Sequence, residues 1–97
     1  MAKGKNVLDN SEKETKPHNI PDVDREYLMK IAALAKKLRV KAGYSYESFA
    51  IHSSINRNSY FRFEKSALTG DNYTVALLLK VIRGLDITAT QFFQQIK

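Results

Sequence analysis

The chain has 97 residues, of which 43% are hydrophobic, 27% charged and 10% aromatic, enough for one small soluble domain with a modest core and too little for a multidomain enzyme. It has no cysteine, which removes disulfides, thiolate metal sites and thiol nucleophiles together and makes a reducing cytoplasm the expected setting. No wholly apolar run exceeds residues 75–79, far short of the roughly 20 residues of a bilayer span, and the N-terminus lacks the apolar segment of a secretory signal.

Residues 1–22 read as a flexible tail. Beyond Met1 and Ala2 their aliphatic content is Val7, Leu8 and Ile20, too little to offset chain entropy, and their charges cancel. Such a tail is either a solvated leader or a segment that folds on a partner. Residues 23–97 form the expected domain and carry the whole formal charge of +6, with seven bases against two acids in residues 36–65. A field of this sign favours polyanions.

Tyr27, Leu28, Ile31, Leu34, Ala35 and Leu38 fall on one helical face, which predicts a first helix over about 24–41. Asp22 or Asp24 is expected to cap it, and Gly43 to end it in a left-handed conformation. Ser45 is the expected cap of a second, short helix ending near His52, with Tyr46, Phe49 and Ala50 on its buried face. After a tight turn, Ser53-Ser54-Ile55, Asn56 caps a third helix over about 56–65. Its Tyr60 and Phe63 face inward and its Arg57, Asn58, Phe61 and Arg62 outward. Gly70-Asp71-Asn72 signals a turn, and Thr74 caps a fourth helix with Val75, Leu78, Leu79, Ile82 and Leu85 on its apolar face. Thr88 and Gln91 form a capping box for a fifth, carrying Phe92, Phe93 and Ile96. No strand pattern competes.

The stretches LRVKAGYSYESFA (38–50), INRNSYFRFEK (55–65) and LLKVIRGLDIT (78–88) resemble the lambda-repressor/Cro-like (xenobiotic-response-element, XRE) helix-turn-helix family over roughly two-thirds of the chain. The resemblance implies an all-α, compact five-helix domain in which Ala50 is the small residue where helices two and three cross and Ile55 anchors the turn. It also implies a structural ion pair between Arg39 of helix one and Glu64 ending helix three. Two positions depart from the family. Ser54 stands where glycine is usual, and because a non-glycine residue at positive φ is strained, the turn is expected to be remodelled or Ser53-Ser54 to adopt another geometry. Tyr46 stands where a DNA-contacting Gln is common, so amide base reading is not carried over.

If helix three enters a major groove, as the resemblance implies, the candidate base contacts are Arg57, Asn58, Ser59, Phe61 and Arg62. Arg57 could bind guanine O6 and N7, Asn58 adenine, and Phe61 a thymine methyl. Phe61, apolar and outward, otherwise packs on a second protomer or is half buried. Tyr46, Lys65, Asn72 and Thr74 are the candidate phosphate contacts, aided by the N–H groups that start helices two and four. The expected partner is a double-stranded DNA operator bound by a homodimer, one half-site per protomer.

The expected function is therefore sequence-specific transcription regulation, most simply repression by occupying the operator. The alternative is a protein-interaction module, such as a toxin-neutralising antitoxin with a small protein partner and secondary promoter binding. Single-strand or RNA binding is a third, weaker option. A membrane-surface role conflicts with the core's need for helix one's apolar face. No catalytic residue, metal site or cofactor is expected, because His18 and His52 lack partners and the glycines are too dispersed to cradle a phosphate.

Overall fold

A computed structural model describes residues 20–96, so the tail reading of residues 1–19, with Val7, Leu8 and His18, lies outside the described residues, as does Lys97. Among the described residues five helices follow in order, namely α1 (Asp22–Lys41), α2 (Tyr46–His52), α3 (Arg57–Thr69), α4 (Val75–Gly84) and α5 (Ala89–Gln94). No strand occurs among the described residues, and the all-α expectation holds.

Local chemistry accounts for most of the helix starts. Ser45 accepts from the Ser48 N–H, Asn56 from Asn58 and Ser59, and Thr74 from Leu77, each satisfying an N–H that has no partner within the helix. Thr88 and Gln91 exchange bonds in a capping box. At α1 the expectation fails, since neither Asp22 nor Asp24 caps it. Pro21 holds that position in an extended conformation without a side-chain cap, and both aspartates lie in the first turn, where they favour the positive end of the macrodipole.

α3 runs a turn beyond the expected end at residue 65. Ser66 is buried with its hydroxyl satisfied by the Arg62 carbonyl, so it does not interrupt the helix, which closes only at the left-handed Gly70. Gly43, past the end of α1, has φ 90° as anticipated. At the turn from Ser53 to Asn56 the expectation fails, because Ser54 does not avoid the strained conformation but itself takes a left-handed φ of 58°.

The core joins Ile31, Ala32 and Ala35 of α1, Phe49 and Ala50 of α2, Tyr60 and Phe63 of α3, Leu78, Val81 and Ile82 of α4, and Phe92 of α5. Each large apolar side chain in it contributes about 1.5–3 kcal/mol relative to exposure. Of the residues assigned to the apolar faces of α1 and α4, three are exposed. Tyr27 is exposed, and on α4 Val75 and Leu79 are 70% and 44% exposed while Val81 is fully buried. The buried stripe of α4 is thus Leu78, Val81, Ile82 and the half-buried Leu85, rotated from the expected one toward Val81. On α5, Phe92 is buried and Phe93 borders solvent.

The end of α4 approaches the end of α2 as closely as glycine permits. A Cβ at Gly84 would overlap the Ser53 hydroxyl and press on the Phe49 ring. The His52 ring stacks on Tyr44, with Nε2 3.0 Å from the Gly84 carbonyl oxygen, so it ties α2 to α4.

Candidate nucleic-acid interface

Across the four-residue turn between α2 and α3, Ala50 and Ile55 are both buried, and the Ile55 N–H donates to the Ala50 carbonyl at 2.9 Å. A buried network sets the orientation of α3. Arg39 donates from Nε and Nη2 to the two Glu64 carboxylate oxygens at 2.6 and 2.9 Å, and from Nη1 to the Tyr44 carbonyl at 2.7 Å. The Tyr60 hydroxyl donates to the same carboxylate at 2.5 Å. One carboxylate thus holds α1 through Arg39 and its own helix through Tyr60, one turn earlier.

The titration of these groups follows from that geometry. The Glu64 carboxylate raises the Arg39 pKa above its ordinary value, against the opposing effect of burial. Burial, then the bond to Glu64, pushes the Tyr60 phenol well above its ordinary value. Burial alone does the same to Tyr73, whose hydroxyl donates to the Leu28 carbonyl at 2.7 Å and ties the α3–α4 loop to α1.

With Tyr60, Phe63 and Ser66 turned inward, the outward stripe of α3 is Arg57, Asn58, Phe61, Arg62 and Lys65, all exposed. Arg57 opens the helix and gives Nη1 to Glu47 of α2 at 3.0 Å. Asn58 has its backbone engaged by the Asn56 cap. Phe61 is 43% exposed, with its ring 5.5 Å from that of Tyr46 and the Lys65 ammonium 5.6 Å from its centroid. Phe61 is therefore exposed, with Tyr46 and Lys65 as its neighbours within the fold.

Ser59 and Arg62 line an open groove of about 420 Å³ together with Asn72 of the α3–α4 loop and Thr74, the cap of α4. Four of the candidate contacts therefore converge there, with Asp71 as an acidic neighbour that sequence patterning did not flag. Thr74 and Asn72 each accept one backbone N–H, from Leu77 and Tyr73. The Thr74 hydroxyl proton remains available to a further acceptor. Tyr46 and Lys65 lie apart from this groove, against Phe61, and the half-buried Tyr46 ring is committed to packing.

Two features of the candidate site escaped sequence reasoning. The Tyr60 hydroxyl had a signal, its i, i+4 spacing to Glu64. The Glu47–Arg57 pair spans the turn and has no such signal. Among the described residues no group of three His, Cys, Asp or Glu could hold a metal ion, and no helix is long and apolar enough to cross a membrane. Compared with family models, curated proteins and solved structures, the chain matches none.

Proposed function

We propose that the protein is a sequence-specific double-stranded DNA-binding regulator of the lambda-repressor/Cro-like helix-turn-helix type, a cytoplasmic repressor that occupies its operator as a homodimer. The observation that carries this reading is α3, which is buried along Tyr60, Phe63 and Ser66, clamped by Arg39 and Glu64, and polar, basic and exposed along Arg57, Asn58, Phe61, Arg62 and Lys65. A helix held rigidly from behind with donors on its free face has what base reading in a major groove requires. Arg57 and Asn58 offer paired donors and acceptors, Phe61 an apolar surface for a thymine methyl, and the groove of Ser59, Arg62, Asn72 and Thr74 a place for a phosphate.

Selection from a randomised duplex pool, with Arg57→Ala run beside the unaltered chain, tests the reading. A two-fold-symmetric motif is expected, relaxed at one position per half-site in the variant, which costs about 1–3 kcal/mol at that base. Sequence-blind retention that collapses with salt would instead reduce the +6 charge to phosphate attraction alone. A protein-interaction role, such as a toxin-neutralising antitoxin, draws on a different observation, the exposure of Ile51, Leu68 and Val75. Co-purification of a second small chain would favour it.

A further inference from the structure

We infer that Glu47 determines specificity by positioning Arg57, holding its guanidinium from one side so that the free edge meets guanine. The inference rests on the DNA reading proposed above. Glu47 is the second residue of α2 and Arg57 the first of α3, so the pair bridges the two helices across the turn. The contact is a single donor, Nη1 to Oε2 at 3.0 Å, and the side chains are 51% and 64% exposed, so the rest of the guanidinium is open to a ligand.

The division of donors is the key point. Guanine presents O6 and N7 to two parallel N–H groups. Arg39 shows how this chain uses such a fork, with its Nε and Nη2 edge chelating the Glu64 carboxylate while Nη1 serves a third group, the Tyr44 carbonyl. Arg57 bonded to Glu47 through Nη1 has the same Nε and Nη2 edge left over. Glu47 therefore need not release Arg57 for guanine to be read, and the pair persists in the specific complex.

Two consequences separate this role from plain charge. A free Arg57 would swing toward the nearest phosphate, which carries no sequence information, and would have to be ordered anew for each base contact. A carboxylate that acted only by repelling DNA would weaken binding to all sequences alike. Positioning instead changes the ratio of specific to non-specific affinity, and only while Arg57 is present.

The test measures that ratio at one fixed salt concentration for the full chain, using the selected duplex and a scrambled duplex of equal length. Glu47→Ala should tighten binding to the scrambled duplex and steepen its salt dependence by about one phosphate contact. It should also lower the specificity ratio roughly two- to tenfold, as expected from losing the ordering of one rotamer-rich side chain. Glu47→Gln, which keeps an acceptor without the charge, should retain more of the ratio than Glu47→Ala. In an Arg57→Ala background, Glu47→Ala should leave the ratio unchanged. Thermal melting of each variant, with the Ser45 cap of α2 intact, confirms that folded proteins are compared. An equal shift on both duplexes, or the same loss of ratio without Arg57, would overturn the role of Glu47 while leaving base reading by α3 standing. Absence of any preference in the unaltered chain would overturn both.

Discussion

Truncating Glu64 is the most direct test of what holds α3 in place. In the folded chain its carboxylate receives two donors from Arg39 and one from the Tyr60 hydroxyl, and the Arg39 and Glu64 side chains are only 9% and 11% exposed. Glu64→Ala leaves a guanidinium facing a void and a phenol without its acceptor inside a fully buried ring. Removing one partner of a buried pair costs about 3–5 kcal/mol, much of it the desolvation of the charge left behind. The orphaned hydroxyl would by itself cost about 1–3 kcal/mol, part of which is already counted in that range. In a domain of this size such a loss lowers Tm by about 12–40 °C.

Adding Arg39→Leu removes the stranded charge and keeps apolar volume at that site, although the Tyr44 carbonyl then loses its donor. The double variant is therefore expected to recover about 1–3 kcal/mol relative to Glu64→Ala alone, and further addition of Tyr60→Phe to recover more by removing the unpaired hydroxyl. Urea denaturation followed by far-UV circular dichroism is the suitable assay, since the chain has no Trp. A double variant no more stable than Glu64→Ala would refute the view that Glu64 acts through Arg39.

Ser54→Gly should raise Tm by a few degrees, because a non-glycine residue at a left-handed φ costs about 1–2 kcal/mol, partly offset by the entropy glycine adds to the unfolded chain; a lower Tm would show that the serine is not strained there. Stability should also fall at alkaline pH. Tyr60 and Tyr73 have folded pKa values raised above the unfolded value of about 10, so their contribution is complete below pH 10 and is lost above it, where the unfolded state has released protons that the native state retains. Two such groups give a slope that steepens above pH 10 toward a limit of roughly −2.7 kcal/mol per pH unit. Tyr60→Phe should halve it, and a flat stability profile between pH 10 and 11 in the unaltered chain would contradict the burial argument.

The caps at Ser45, Asn56, Thr74 and Thr88 were legible in the sequence because each acts within three residues of itself, and local spacing is what a sequence displays directly. The stripe of α4 was less so. Its first five residues are all apolar, so periodicity allows several faces, and only packing against the other helices decides that Val81 is covered while Val75 and Leu79 are not. The Arg39–Glu64 pair, 25 residues apart, was approached through resemblance and not through spacing. Glu47–Arg57 had neither guide, since which side chains meet across a turn depends on how the two helices cross. The outward face of α3 was nonetheless readable, because it is the complement of the buried one. Once Tyr60 and Phe63 commit to the core, helical geometry leaves Arg57, Asn58, Phe61 and Arg62 outside whatever the partner. Their partners within the fold, Glu47 for Arg57 and Tyr46 with Lys65 for Phe61, come from another helix or another turn, and those partners constrain how each side chain can meet a ligand.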